Sequence, residues 1–305
     1  MSAYEFVGVD IAKDKFDCAL ELNNRYKHAV FPNNKQGYKA FLKWLKQYTI
    51  TSWVCMEATG HYSEGLADFL KEKEIRVSVV NPFQIKSFAK ASLARNKNDT
   101  IDAKLIAQFG QCMEPRLYQS SSREQKELRE LTKVLDMLKA QVIQLTNQLH
   151  SLKGQAAQNS VKKMIEKLEQ EIKAIQQKID ELIKSNQQLK EKFELLLSIK
   201  GIGKLTAYQI LARMPEVQCF QTAKQFAAYM GITPKQHQSG SFVGKTTISR
   251  LGDSRLRKAL YMAALVAKRY NKSLLPFVNK LQTKGKTPKT IICAVMRKLA
   301  HIIFG

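Results

Sequence analysis

The sequence predicts a mixed α/β domain at the N-terminus, followed by a long coiled coil and a mainly α-helical C-terminal domain. Short apolar runs alternate with helical patterns over residues 1–118, which is typical of a mixed sheet covered by helices. Residues 119–197 carry an apolar repeat of about 3.5 residues. Residues 198–305 return to ordinary helical spacing around one loop rich in Gly, Ser and Thr. These three segments are the predicted domains.

The elements of the first domain follow from local patterns. Three strands are predicted at its start, in the segments FVGVDIA, KFDCALEL and KHAVF. A helix, a strand, a second helix and a further strand follow, in NKQGYKAFLKWLKQY, SWVCMEATG, YSEGLADFLKEKE and IRVSVVNP, the last ending at Pro82. A last helix is predicted in NDTIDAKLIAQFGQC, with Asn98 or Asp99 as its cap.

Two long helices with a coiled-coil stripe are predicted in the middle of the chain. Apolar residues alternate spacings of three and four from Leu128 to Leu152, and again from Val161 to Leu196. Asn186 falls on the second stripe, where a single polar residue can fix the register of the pair. An antiparallel hairpin within the chain and pairing with another subunit would satisfy the stripes equally well.

Charge points to a polyanionic partner. The chain has 305 residues with 50 Lys plus Arg and 26 Asp plus Glu, a net charge of +24. Basic residues in such excess neutralise phosphates, although a merely basic soluble protein is the plain alternative. The sequence has no apolar run of about eighteen residues, and its start does not resemble a signal peptide. No membrane partner is expected, and the expected location is the cytoplasm.

Cysteine and histidine are too dispersed for a zinc site. The five cysteines include no CxxC pair, and the five histidines are equally scattered. Any metal ion is therefore expected to be a hard cation on oxygen ligands.

Four acidic residues are candidates for such a site. Asp10 and Glu57 each come at the end of a buried strand, where a carboxylate is costly unless a positive charge is bound. Asp99 and Asp102 lie three residues apart at a helix start and so share one face. Four carboxylates brought together suit a two-metal phosphoryl-transfer site.

Plainer explanations exist for each acid alone. Asp99 could be a helix cap and Asp102 a first-turn acid favoured by the helix dipole. Glu57 could lie on the surface at a strand end. Asp14 and Asp17 are interpreted as solvated residues.

The motifs VGVDIAKDKFD, MEATGHY, VVNPFQIKSFAK and RNKNDTIDAKLIAQF resemble, in order and spacing, the ribonuclease H-like (RuvC-like) domain of the DEDD insertion-sequence transposases. That family includes the RNA-guided bridge recombinases. The resemblance implies that the four acids of the family fall on Asp10, Glu57, Asp99 and Asp102, and that they hold Mg²⁺, with Mn²⁺ as a substitute.

A helix-hairpin-helix is predicted in LLSIKGIGKLTAYQILARM. Gly201 and Gly203 would let the backbone approach a phosphate, which Lys204 and the start of the next helix would bind. An ordinary helix–helix turn is the alternative, because glycine turns are common.

A candidate nucleophile lies in the loop at 233–249. Ser239 and Gly240 occur there near basic residues that could hold phosphate oxygens, among them Lys235, Lys245, Arg250, Arg255 and Arg257. The loop resembles the C-terminal domain of the same transposases, whose SG serine becomes covalently joined to DNA. The resemblance assigns that role to Ser239, with Ser241 as the nearby rival.

The predicted function is that of an insertion-sequence transposase or recombinase that cuts and rejoins double-stranded donor and target DNA. The resemblance adds a structured noncoding guide RNA as a partner, and two DNA partners favour a homo-oligomer, a dimer or tetramer, at the nucleoid. Two alternatives stay open: a RuvC-like metal-dependent junction nuclease, which needs the acids but no serine, and a non-enzymatic nucleic-acid-binding scaffold.

Overall fold

The structure is a computed structural model. Residues 4–22, 25–48, 51–93, 99–214, 219–236, 238–239, 242–244 and 246–305 are described. The chain divides into two compact units, Met1–Ser120 and Ser121–Gly305. In the described part of the chain, no helix is both long enough and apolar enough to cross a bilayer.

The first unit contains five strands and four helices among its described residues. The strands are β1 (Glu5–Ile11), β2 (Lys15–Leu22), β3 (Arg25–Pro32), β4 (Ser52–Glu57) and β5 (Arg76–Val80). The helices are α1 (Lys35–Tyr48), α2 (His61–Glu72), α3 (Pro82–Ala91) and α4 (Asp99–Met113). Every strand and helix predicted for this domain is present, and α3 is an additional helix.

The strands form one mixed sheet in the order β3-β2-β1-β4-β5. β1, β2 and β3 are antiparallel neighbours, whereas β4 and β5 continue parallel to β1. The predicted mixed α/β domain is confirmed by this sheet and the helices that accompany it.

Helices cover both faces of this sheet. On one face, Val7 and Val9 of β1 share a core with Phe41 of α1 and Leu66 of α2. Successive strand residues point to opposite faces, so Gly8 faces the other side. There α4 lies so close that a Cβ at Gly8 would come within 2.0 Å of the carbonyl oxygen of Ala103. The α4 helix is therefore seated directly on β1.

The α3 helix begins where the sequence was interpreted only as a strand end. The Asn81 side chain accepts a hydrogen bond from the Phe83 amide, and Pro82 occupies the first turn. Asparagine followed by proline is a typical helix start, because the proline lacks only an amide hydrogen that would have no helical partner.

The second unit is mainly helical. Its described helices are α5 (Arg123–Leu149), α6 (Gln155–Ser185), α7 (Gln187–Ser198), α8 (Lys204–Arg213), α9 (Ala223–Tyr229), α10 (Ser254–Tyr270), α11 (Leu275–Thr283) and α12 (Pro288–Phe304). The described residues between α9 and α10 form four two-residue strands: β6 (Pro234–Lys235), β7 (Gln238–Ser239), β8 (Phe242–Val243) and β9 (Thr247–Ile248).

The two long helices α5 and α6 pack against each other. The short connection at 150–154 makes them antiparallel neighbours. Leu128, Leu135, Ile179 and Ile183 are buried in a core that also contains residues of α8, α10 and α12. The residues of the apolar stripe nearer the 150–154 connection are only half-buried. The structure thus shows the hairpin within the chain, while supercoiling and pairing with a second subunit stay predictions.

The prediction that Asn186 lies on a continuous helical stripe is wrong. The α6 helix ends at Ser185, and Asn186 has an extended backbone with φ −118° and ψ 112°. Its side chain accepts a hydrogen bond from the Leu189 amide and caps α7. Asparagine competes well for such a cap, so a residue that matches the repeat by spacing ends the helix instead.

Replacing Gly8 by Ala should destabilise the first unit by about 3 kcal/mol, since the added methyl group meets backbone atoms that cannot move aside independently. Chemical denaturation of the Gly8→Ala variant measures this change. Gly154→Ala is the matched control, because no atom lies within 4 Å of its added Cβ. Equal stability of the two variants would show that α4 is not seated on β1 as described.

Candidate active site

Two candidate acids, Asp10 and Glu57, lie side by side at the ends of neighbouring parallel strands. Val9 of β1 is paired with Met56 of β4, so the next residues, Asp10 and Glu57, are adjacent at the ends of the two strands. Asp10 is two residues beyond Gly8 and therefore lies on the same face, towards α4. Both acids are half-buried.

The other two candidate acids lie in the first turn of α4. Asp99 is the first residue of the helix and is exposed, whereas Asp102 is half-buried. The predicted helix is present from Asp99 onwards. Asn98, the alternative cap, lies outside the described residues.

Asp10 is influenced by all of the other three acids. Burial, and then the negative charges of Asp102, Asp99, Glu57 and, last, Asp17, raise the pKa of Asp10 from 3.8 to about 6. Such a shift means that ionised Asp10 lacks sufficient positive charge nearby. The sheet and α4 thus bring the four acids into one electrostatic cluster.

The interpretation of Asp17 as a solvated residue is wrong, although Asp14 is exposed as expected. Asp17 of β2 is opposite Asp10 in the antiparallel register, and its side chain is only 7% exposed. Its Oδ2 atom accepts a hydrogen bond from Lys15 Nζ at 3.1 Å, and its Oδ1 atom lies 3.1 Å from His28 Nε2. Sequence analysis missed all three members of this group.

Lys15 also reaches α4. Its Nζ atom donates a hydrogen bond to Asp99 Oδ2 at 2.8 Å. This bond lowers the pKa of Asp99, and the bonds to Asp99 and Asp17 raise the pKa of Lys15 to about 12. Asp99 is therefore ionised and held by one of its oxygens.

The acids suit a hard divalent cation by donor chemistry. They offer only carboxylate oxygens. Burial, and then the neighbouring negative charges, raise the pKa of Asp10, and a bound cation would stabilise its ionised form against both. Among the described residues, however, no three His, Cys, Asp or Glu side chains are grouped closely enough to hold a metal ion. The arrangement is an electrostatic cluster and does not form a closed coordination shell.

Ser239 lies in a short hairpin of the second unit. It belongs to β7, is paired with Phe242 of β8 and is exposed. Gly240, Ser241 and Lys245 lie outside the described residues. The described structure therefore places an exposed serine in a short antiparallel strand pair.

The predicted phosphate-binding arginines differ in their surroundings. Arg250 and Arg255 are exposed. Arg257 instead donates hydrogen bonds from Nη1 to the carbonyl oxygens of Gly252, at 2.8 Å, and Met230, at 3.3 Å. Arg257 thus holds together the backbone on either side of the serine hairpin.

The predicted helix-hairpin-helix turn has a strong packing function. Gly201 has φ +113°, and a Cβ there would lie 2.6 Å from the side chain of Ala267 in α10. Gly203 faces open space at the start of α8, and Lys204 pairs with Asp180 at 3.2 Å. These contacts favour the alternative of a helix–helix turn for Gly201, while Gly203 and Lys204 are accessible.

Two transposase families match most of the chain. Residues 7–155 match the family of IS110 DEDD proteins described as "Transposase", and residues 193–279 match the "Transposase IS116/IS110/IS902 family". The first match contains all four candidate acids, and the second contains Ser239.

Relatives extend these matches over the whole chain. The "Pilin gene-inverting protein" of Moraxella bovis is 34% identical, over 98% of this chain and 94% of the relative. The "Transposase for insertion sequence element IS1111A" of Coxiella burnetii is 25% identical, over 96% and 84%.

A solved structure of T. thermophilus RuvC with a Holliday junction substrate covers 38% of this chain and 99% of its own, at 12% identity and a TM-score of 0.30. This likeness is too low to support any conclusion. The family matches and the near full-length relatives are sufficient without it: the chain belongs to the IS116/IS110/IS902 family of transposases, and it is an enzyme of DNA recombination.

Proposed function

We propose that this transposase cuts and rejoins DNA with a metal-dependent carboxylate centre and a serine nucleophile. The observation that supports the carboxylate centre best is the raised pKa of Asp10, to which Asp102, Asp99 and Glu57 all contribute. An uncompensated cluster of acids at strand ends is costly, and it is retained where a cation or a reaction needs it.

Asp10, Glu57, Asp99 and Asp102 would hold the divalent ions, Mg²⁺ or Mn²⁺. Bound there, such ions would neutralise charge on the phosphate oxygens. The protein supplies the strand ends that fix Asp10 and Glu57 and the first turn of α4 that fixes the other two.

Ser239 would attack the scissile phosphate. Its Oγ atom loses a proton and forms a bond to phosphorus, while the bond from phosphorus to a deoxyribose oxygen breaks and that oxygen gains a proton. The reverse transfer to another deoxyribose hydroxyl releases the serine and seals the strand. Because one phosphoester replaces another, no bond energy is lost to water. The exposed position of Ser239 in a short hairpin is compatible with the approach of DNA.

The substrates would be two double-stranded DNA sites, either donor and target of a mobile element or two sites that flank an invertible segment. The relatives named for pilin gene inversion support the second possibility, and the chemistry is the same for both. The net charge of +24 suits DNA together with a structured noncoding guide RNA. Two DNA sites require at least two copies of the chain, so we propose a homo-oligomer in the cytoplasm at the nucleoid.

Metal dependence is tested by removing single acids. Asp10→Asn and Asp102→Asn should each lower strand cleavage at least a hundredfold while leaving DNA affinity unchanged, because phosphate contacts come from basic residues elsewhere. Gel assays of cleavage and binding with Mg²⁺, Mn²⁺ or EDTA measure both properties. Asp14→Asn, an exposed acid outside the cluster, is the control. Full cleavage in EDTA would eliminate the metal centre.

The raised pKa of Asp10 also predicts that the stability of the protein depends on pH. The folded protein binds Asp10's proton up to about pH 6, while the ordinary pKa is 3.8, so ionisation of Asp10 lowers stability progressively as the pH rises through this window. Without divalent ions, Asp10→Asn should therefore raise the free energy of unfolding by about 1 kcal/mol at about pH 7.5, after allowance for its partial exposure, and by little near pH 4. Urea denaturation at the two pH values tests this, and an equal effect at both would argue against the cluster.

The nucleophile is tested by covalent trapping. Ser239→Ala should abolish recombination and the protein–DNA adduct, with complex formation retained, since only the attacking oxygen is lost. Denaturing electrophoresis and mass spectrometry of the adduct locate the attachment site. Ser241→Ala, at a position outside the described residues, should be far milder. An adduct at Ser241 would refute the assignment, and cleavage without any adduct would favour a hydrolytic junction nuclease.

A further inference from the structure

The buried carboxylate of Asp17 is not among the four acids of the proposed metal centre. It lies in the middle of three elements: β2, which carries it, β3, which carries His28, and the first turn of α4. A buried acid normally has several hydrogen-bond partners. The partners of Asp17 also contact residues in the first turn of α4, which belongs to the proposed metal centre.

One arm of this network runs through Lys15. Its ammonium group donates to Asp17 Oδ2 and to Asp99 Oδ2, at 3.1 Å and 2.8 Å. Lys15 is half-exposed, with its side chain 49% accessible, and a long exposed chain would ordinarily be mobile. Two carboxylates hold its end in one place.

The other arm runs through His28. Its Nε2 atom lies 3.1 Å from Asp17 Oδ1 and 3.3 Å from Thr100 Oγ1. A carboxylate oxygen accepts hydrogen bonds, so the contact with Asp17 is a hydrogen bond in the tautomer whose Nε2 atom carries the hydrogen. Both oxygens of Asp17 are thereby used, and each partner also reaches a residue in the first turn of α4.

We propose that Asp17 is a positioning residue that fixes the first turn of α4, and with it Asp99 and Asp102, through Lys15 and His28. This inference rests on the proposed function in so far as those two acids bind metal. Lys15 engages one oxygen of Asp99, as is common for ligating carboxylates, whose hydrogen-bond partners keep them oriented. Asp17 itself touches neither DNA nor metal in this scheme.

Two measurements on the full-length protein test the role. Titration with Mn²⁺, followed by the electron paramagnetic resonance of the free ion, gives metal affinity. Hydrogen–deuterium exchange without metal gives the opening of the first turn of α4. Asp17→Asn should weaken Mn²⁺ binding about tenfold and speed exchange at residues 99–102, because the amide holds Lys15 and His28 less firmly. Asp14→Asn, on the exposed turn before β2, should change neither.

A coupling experiment separates positioning from general support of the fold. Lys15→Met changes an exposed side chain and should fold even if Asp17→Asn does not. Lys15→Met should give part of the loss of Mn²⁺ affinity and part of the faster exchange. The double variant should bind Mn²⁺ no more weakly than Asp17→Asn alone, because both substitutions break the same network.

The outcomes distinguish this inference from the proposed function. Wild-type affinity and exchange in both Asp17→Asn and Lys15→Met would overturn the positioning role and leave the metal centre intact. Additive losses in the double variant would also overturn it. If the wild-type protein itself binds no Mn²⁺, the metal centre fails, and the exchange measurement alone decides whether Asp17 fixes α4.

Discussion

Negative charge gathered at the ends of two parallel strands is the constraint on which the first unit depends. Asp10 and Glu57 stand side by side because β1 and β4 are parallel and in register. The α4 helix then adds two more acids, and burial together with the repulsion between the acids raises the pKa of Asp10. A fold selected for stability alone would avoid such a cluster. We propose that this cost is retained because the cluster serves a reaction on phosphate.

Close packing makes this cluster possible. Gly8 of β1 lets α4 lie against that strand. On α4 itself, a Cβ added at Gly110 would lie only 2.8 Å from the side chain of Phe6. A helix held so near the sheet brings its first turn over the strand ends. The second unit uses the same device in another place, where Gly201 meets Ala267. Both units therefore use glycine where one element packs closely against its neighbour.

Polar contacts complete the second unit. Gln125 of α5 donates hydrogen bonds to the carbonyl oxygens of Leu211 and Met214, and Arg129 donates to that of Ala212. These are the carbonyl groups at the end of α8 that a helix cannot satisfy itself. The long α5 helix is thus tied both by its apolar stripe and by capping to the core next to the serine hairpin.

Much of the fold was predictable because strand alternation, helix spacing and capping are local. The strands around Asp10 and Glu57 and the helix start at Asp99 were all predicted from such patterns. The burial of Asp17 was not, because it depends on partners from β2 and β3 that only the folded sheet brings to it. Asn186 matched the apolar repeat by spacing, but in the structure its side chain caps α7 and the long helix ends before it.

The candidate acids were identified by resemblance, and the structure adds the register that makes them neighbours. The roles of these acids and of Ser239 are proposals, since they depend on bound metal and DNA, which local patterns do not encode.

The stereochemistry at phosphorus tests the proposed strand exchange most directly. A DNA site with a phosphorothioate of one configuration at the exchanged junction would be recombined and its product configuration determined. Each in-line transfer inverts the phosphorus centre, so attack by Ser239 followed by resealing predicts net retention. Net inversion would show a single transfer without a covalent intermediate and would contradict the serine mechanism.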